Sequence, residues 1–245
     1  MKKTFIAMVA AATIFASVDM SAKGKTHRPH YGAHYETGME LSVGYLHSGY
    51  RSKSWVTDEV TKASGLNGLY VGLTKDMTIV RNTLYFQTGL LYEYQTSTNR
   101  YTADQNLPVV EEHNEHYVDV PLRLKLSMDV TSDMRAFIYL GPTLDFGVSA
   151  KVQGRVKVDD KVLKTNYNYF SGNINGDFLI LSMPTSPYRA FDVLMGGAAG
   201  VELYDVAVVK IGFDFGLINK NKNEAVADQL TTHRNLFHLG VGVRF

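Results

Sequence analysis

From Gly38 to the last residue, apolar and polar positions alternate with a period of two, the mark of a strand whose two faces meet different surroundings. Eight segments carry the pattern. In the first, Met39, Leu41, Val43 and Tyr45 alternate with Glu40, Ser42 and Gly44; in the second, Leu69, Val71 and Leu73 alternate with Gly68, Tyr70 and Gly72. The third sets Leu84, Phe86, Leu90, Tyr92 and Tyr94 against Gln87, Gly89, Glu93 and Gln95. The fourth sets Val118, Val120, Leu122, Leu124 and Leu126 against Asp119, Arg123, Lys125 and Ser127. Ile138, Leu140, Leu144, Phe146 and Val148 face Tyr139, Gly141, Thr143, Asp145 and Gly147 in the fifth. Phe191, Val193, Met195, Val201 and Leu203 oppose Asp192, Gly196, Gly200 and Glu202 in the sixth. The seventh pairs Val209, Ile211, Phe213, Phe215 and Leu217 with Lys210, Gly212, Asp214 and Gly216. The eighth pairs Phe237, Leu239, Val241, Val243 and Phe245 with His238, Gly240, Gly242 and Arg244. An even number of strands, each roughly ten residues long, is what a bilayer-spanning barrel requires. The pattern therefore predicts an all-β fold over residues 38–245: an eight-stranded antiparallel up-and-down transmembrane β-barrel.

The connections alternate in length as well. Short turns are expected at Thr74 to Thr78, Asp129 to Asp133 and Tyr204 to Val206; the other four connections run through Gly49 to Gly65, Thr96 to Asn114, Ser149 to Tyr188 and Asn219 to Arg234. Short periplasmic turns and long extracellular loops are the outer-membrane arrangement, with both termini in the periplasm. In the longest connection, Val152 to Val162 has Asp159-Asp160 at its middle and is expected to form a hairpin rising above the membrane.

Alternation alone does not say which face points outward, and a soluble lipocalin-like barrel with an apolar interior is the competing arrangement. The polar face holds Gly44, Gly72, Gly89, Gly141, Gly147, Gly196, Gly200, Gly212, Gly216, Gly240 and Gly242. Glycine forms strands poorly and gains nothing on a watery surface, but inside a narrow barrel it leaves room for large side chains. That assigns the polar face to the interior. The apolar face carries Tyr45, Tyr92, Tyr94, Phe146, Phe191 and Phe237 near the strand ends that meet the long loops, where a membrane-interface girdle of aromatic residues would lie.

An inward polar face brings Glu40, Glu93, Asp119, Asp145, Asp192, Glu202 and Asp214 into one lumen with Arg123, Lys125, Lys210, Arg244 and His238. Buried charges are tolerable only when paired and hydrogen-bonded, so these residues are expected to form a cross-lumen polar network that plugs the barrel. A proton or ion path is the alternative; a wide solute channel is not expected of eight strands.

Composition and chain ends narrow the class further. Met1-Lys2-Lys3, the apolar run Phe5 to Ala16 and the small pair Ser21-Ala22 have the form of a secretory signal peptide, residues 1–22, with Ala16 and Ser17 as alternative exits. Residues 23–37 would then be a short periplasmic segment. The chain has no cysteine, which removes disulfides, thiolate metal sites and a lipidated mature terminus. The 25 basic and 24 acidic residues leave a net charge of +1, which gives no electrostatic footprint for a nucleic acid. His27, His30 and His34, and the stretch Glu111 to His116, could in principle take zinc or copper, but their spacings match no defined site and neither is assigned as one. No cofactor is expected. The run Gly196-Gly197-Ala198-Ala199-Gly200 opens no helix, which removes a dinucleotide reading. His47 and Ser48 are adjacent on a strand and so point to opposite faces, which leaves no catalytic pair there.

The segments resemble the PorT-like outer-membrane β-barrel proteins of the Bacteroidota. The resemblance rests on Asn82 to Tyr92, His116 to Lys125, Tyr139-Leu140-Gly141-Pro142, Arg189 to Val193, Gly212 to Leu217 and Arg234-Asn235, and spans nearly all of the chain after residue 22. It implies the barrel fold and an outer-membrane location, and offers no catalytic motif. The terminal Phe245 on an alternating strand is similar to the C-terminal assembly signal read by barrel-insertion machinery. The expected partners are outer-membrane lipid and lipopolysaccharide, that machinery, and an unidentified envelope protein. The function expected is structural, adhesive or interactive, with an accessory role in a secretion or gliding machine and a lipid-modifying enzyme as the alternatives.

Overall fold

The computed structural model of the protein describes residues 37–56, 60–62, 65–103, 107–158, 161–176 and 187–245. The expected signal peptide and most of the segment after it lie outside the described residues. The strands are β1 (Thr37–Ser54), β2 (Val60–Lys62), β3 (Leu66–Val80), β4 (Leu84–Ala103), β5 (Leu107–Asp129), β6 (Met134–Val158), β7 (Lys161–Asn168), β8 (Ile174–Gly176), β9 (Phe191–Leu203), β10 (Ala207–Gly216) and β11 (Leu230–Arg244). One short helix, α1 (Glu224–Ala227), precedes the last strand; the Asn223 side chain caps it by accepting from the Ala225 N–H.

Eight of these strands form a ring in the order β1-β3-β4-β5-β6-β9-β10-β11, every neighbouring pair antiparallel. The first and last strands meet along a continuous register from Glu40 opposite Arg244 to Ser54 opposite Leu230. The small strands β2, β7 and β8 add to the ring only beyond one of its ends, pairing with β1, β6 and β7 respectively. All eight segments of the alternating pattern are ring strands.

Three connections are short and share the end where β1 begins and β11 finishes. One of them corrects the sequence reading. Thr74 to Thr78 is not a turn; it lies within β3, with Thr74 and Asp76 buried, and the chain reverses at residues 81–83 instead. Asn82 there has φ of 63°, a left-handed conformation that asparagine tolerates better than most residues. Thr74 and Asp76 are polar and read as turn residues, yet they continue the inward parity of Gly72 and belong to the ring wall. The turn after β9 falls where expected: Tyr204 and Asp205 both have positive φ, with the Val206 N–H donating to the Leu203 carbonyl at 3.0 Å. That is a primed hairpin turn, whose twist suits antiparallel strands.

Among the described residues, much of the long connections is strand. Thr96 to Asn114 is mostly ladder, with β4 and β5 paired as far as Ala103 opposite Leu107. The expected hairpin within the longest connection is present: β6 and β7 pair from Lys151 opposite Asn168 to Val158 opposite Lys161. β4, β5, β6 and β7 together project as a sheet beyond one side of the ring. At the base of that projection Tyr117 pairs with Gly147 but His116 with Ser149, so Val148 is an extra, bulged residue. The bulge reverses the parity of β6. Asp145 faces inward below it and Ala150 and Val152 face inward above it.

The faces separate cleanly. Outward residues are apolar and accessible, as in Leu140 at 64 % and Val148 at 62 %, while inward residues are polar and buried, as in Arg234, Lys125 and Asp145 at 0 %. In water this would be an inverted protein; burial by solvent-free packing is happening on the charged side.

Candidate functional site

The interior is built in tiers from the short-turn end upward. In the lowest tier every second strand of the ring contributes one charge: Arg244 from β11, Asp76 from β3, Lys125 from β5 and Glu202 from β9. They alternate in sign around the ring. Arg244 Nη2 lies 3.0 Å from Asp76 Oδ2, which lies 2.8 Å from Lys125 Nζ; Lys125 Nζ is 2.5 Å from Glu202 Oε1, which is 2.6 Å from Arg244 Nη1. Two cations and two anions in a square balance one another, so each desolvated charge has two opposite neighbours. Gln87 Nε2 donates to the remaining Asp76 oxygen at 2.9 Å. Arg135 closes this end by donating to the Asn82 carbonyl at 2.7 Å and pairing with Asp129 at 3.0 Å.

Above the square, Lys210 reaches Glu40 at 2.5 Å and donates to Ser42 at 3.3 Å. Arg123 donates to Thr143 at 2.9 Å and approaches Asp214 at 3.5 Å, with the guanidinium 4.6 Å over the Tyr139 ring; His238 lies 3.3 Å from the same Asp214 oxygen. Tyr70 crosses the interior here. A Cβ on Gly240 would sit 1.8 Å from its hydroxyl oxygen and one on Gly44 would sit 2.3 Å from its ring, so these two glycines make the space that the tyrosine fills. Tyr70 also joins an apolar cluster with Leu46, Leu91, Leu194 and Leu236, all buried and all facing inward. The sequence reading gave the interior a polar lining only; this cluster adds a leucine layer to it.

The next tier centres on Arg234. From β11 it reaches Glu93 on β4 at 2.6 Å and Asp145 on β6 at 2.9 Å, three strands away around the ring in each direction, with its guanidinium 3.9 Å from the Tyr117 ring centre. Asp119, Asp145 and Asp192 are direct register neighbours on β5, β6 and β9. Like charges placed opposite one another on a sheet destabilise it. Arg234 offsets them from one side, and Lys220, 3.6 Å from Asp145 and 3.5 Å from Asp192, offsets them from the other.

Toward the long-connection end the filling becomes aromatic. The hydroxyl of Tyr50 donates to Glu115 at 2.8 Å, as does that of Tyr117 at 2.9 Å. Tyr188 lies 5.3 Å from Tyr50 and stacks on Tyr169, also at 5.3 Å, and Tyr169 meets Nδ1 of His113 at 3.1 Å. Burial, followed by the nearby Glu115, holds the Tyr169 and Tyr188 hydroxyls above the ordinary phenol range, so both are neutral hydrogen-bonding groups.

Each residue expected in the lumen network, Glu40, Glu93, Asp119, Arg123, Lys125, Asp145, Asp192, Glu202, Lys210, Asp214, His238 and Arg244, is buried on the inward face. The sequence reading missed Arg234, Lys220, Asp76, Arg135, Glu111 and Glu115, which are equally buried there. The missing signal was parity carried past the assumed strand ends: Arg234 shares it with His238, Asp76 with Gly72, and Glu115 with Asp119. Among the aromatics on the outward face, Tyr92 meets His116 Nδ1 at 2.6 Å, Tyr94 donates to Asn114 at 3.0 Å and Tyr45 donates to Asn67. The rings of Phe146 and Phe191 lie 5.2 Å apart, Phe237 pairs in register with Phe213, and Phe245 is exposed while its backbone pairs with Met39. His47 points outward to Asn67 at 2.9 Å, whereas Ser48 is buried and donates to Gln95, so the two do not meet. Among the described residues no three His, Asp or Glu side chains converge as metal ligands.

No curated protein is significantly similar to the chain. Among solved structures, the attachment invasion locus protein Ail of Yersinia pestis is 10 % identical, with 86 % of this chain and 99 % of that chain covered and a TM-score of 0.37. Neisserial surface protein A is 11 % identical over 84 % of this chain and 97 % of that one, with a TM-score of 0.34. The outer membrane protease OmpT of Escherichia coli is 7 % identical over 85 % and 96 %, with a TM-score of 0.33. Likenesses this distant bear on neither ligand nor activity. The family model described as the outer membrane protein beta-barrel domain matches residues 29–221, most of the ring, and the chain belongs to that family.

Proposed function

We propose that this outer-membrane protein is a plugged, loop-presenting barrel with a structural, adhesive or interaction role, and that it conducts no solute. The observation that supports this reading most directly is Arg234, whose ion pairs to β4 and β6 cross the interior in both directions. The alternating square below it and the leucine cluster between them leave successive tiers of the interior occupied by side chains. An eight-stranded barrel is narrow enough for such filling to close it. The short turns, with the ends of β1 and β11, face the periplasm in this reading; the projecting β4 to β7 sheet and the other long connections face outward, where binding surfaces concentrate. The exposed Phe245 then serves as the signal for barrel insertion. The PorT-like resemblance favours the same location.

Planar-bilayer recording of the purified protein tests the plug: no stepwise conductance is expected, and discrete open-pore steps would sink the reading. Native purification from membranes tests the role. A lone barrel supports a structural or adhesive protein, whereas a stable multi-protein assembly transfers the assignment to an accessory subunit of an envelope machine.

A further inference from the structure

At the rim of the ring a cavity of about 440 Å³ opens between the start of β9 and the segment after β10, with Tyr188 and Phe170 of the aromatic filling on its inner side. Its apolar side is formed by Phe170, Phe191 and Ile218, and its polar side by Arg189 and Lys222. No carboxylate among the described residues pairs with either cation. Their positions are nonetheless set by the backbone: Tyr188 and Asn221 form a β-bridge, the Arg189 N–H donates to the Lys220 carbonyl at 2.7 Å and the Lys222 N–H donates to the Pro187 carbonyl at 2.9 Å. Asn221 anchors the bridge, its buried side chain donating to the Leu230 carbonyl at 2.6 Å. Arg189 uses Nε on the Asn221 carbonyl at 3.3 Å, which leaves its terminal guanidinium nitrogens available in a side chain that lines the cavity.

Two preplaced cations that no carboxylate among the described residues pairs with, above an apolar floor, match an anionic amphiphile. We propose that this cavity binds the phosphate-bearing headgroup of an outer-leaflet glycolipid of the lipid A type, with an acyl chain descending past Phe191 and Phe146. Arginine offers phosphate a fork of parallel N–H donors and lysine adds a point charge. The volume suits part of a phosphorylated sugar. Phe191 and Phe146, packed together on the outward face just below, continue the floor onto the surface that meets hydrocarbon. Five further cations, Lys151, Arg155, Lys157, Lys161 and Lys164, decorate the exposed hairpin, but they do not line this cavity and Arg155 is already paired with Glu112 at 2.6 Å. The inference rests on the reading that the long connections face the outer leaflet.

Native mass spectrometry of the detergent-solubilised full protein, titrated with bisphosphorylated lipid A and with its dephosphorylated form, tests it. The phosphorylated lipid is expected to bind, with R189Q/K222Q weakening it by about tenfold or more and R155Q/K157Q leaving it within about twofold, as for a screened surface pair. R189K should retain part of the affinity, because it keeps charge while losing the fork. Equal binding of both lipid forms, equal loss in both double variants, or displacement by millimolar inorganic phosphate would each overturn the proposal. Retention of a heat-modifiable folded band by every variant keeps misfolding out of the comparison. An epitope between Val158 and Lys161 that antibody fails to reach on intact cells removes the orientation and this inference together. An epitope that is reached, with unchanged affinity in R189Q/K222Q, overturns this inference alone.

Discussion

The inner and outer faces of the same strands obey opposite rules. On β4, Glu93 is buried against Arg234 while Leu90, three residues earlier, is 56 % exposed. On β6, Asp145 is sealed between Arg234 and Lys220 while its neighbour Phe146 is open. The outer face needs only to be apolar, because hydrocarbon makes no demand for a particular partner. The inner face needs matched partners, because a charge withdrawn from water is costly until another charge or hydrogen bond answers it. Substitutions should therefore be judged by partnership inside the ring and by polarity outside it.

The largest effect is expected where an inner charge loses its partner. Arg234→Met leaves Glu93 and Asp145 facing each other's charge without a cation between them, and should cost roughly 3–5 kcal/mol, read as a lower urea midpoint for unfolding from vesicles. A midpoint like that of the native protein would mean that the tier is solvated and the interior open. Leu90→Arg tests the outer rule. A cation near the middle of the hydrocarbon band should cost about 2–4 kcal/mol, whereas Leu90→Phe should be nearly neutral; equal tolerance of both would remove lipid from that face.

Space inside the ring should show a smaller effect. Gly240→Ala forces Tyr70 to move and should cost about 1–3 kcal/mol. Tyr70→Phe in the same chain should recover part of the loss by removing the hydroxyl in contact. A double variant no better than the single one would place the strain elsewhere.

The smallest expected effect concerns pH. The folded-state pKa values of Tyr169 and Tyr188 are raised, so the stability these neutral phenols contribute is fully present below the ordinary value of about 10. It is lost as pH rises through the folded values. Stability of the native protein should fall with increasing pH above that point, and Tyr169→Phe should flatten the fall while costing, at neutral pH, only the hydroxyl's own contacts, that to His113 among them. Absorbance of ionised tyrosine, followed alongside unfolding, checks the assignment.

Much of this was legible in a single chain. Alternation identified every ring strand, and the glycines of the polar face pointed it inward, where Gly44 and Gly240 indeed make room for Tyr70. The strand limits were harder. Asp76 looked like part of a turn and Arg234 like part of a loop, because a polar residue near the end of a pattern reads the same whether it faces water or a buried partner. Leu91 and Leu194 stand at polar parity and were passed over for the opposite reason; they serve the interior as packing rather than charge.

Periodicity and composition by themselves determined that there are eight ring strands, the face taken by the residues within each alternating segment and the largely polar character of the interior, because those properties follow from neighbours along one chain. Pairings were decided by tertiary structure alone. Arg234 lies 141 positions from Glu93 and 89 from Asp145, and Arg244 is 42 from Glu202. No local rule relates residues so far apart. Strand order and the register of the ring bring them to one level, and so decide which charge answers which.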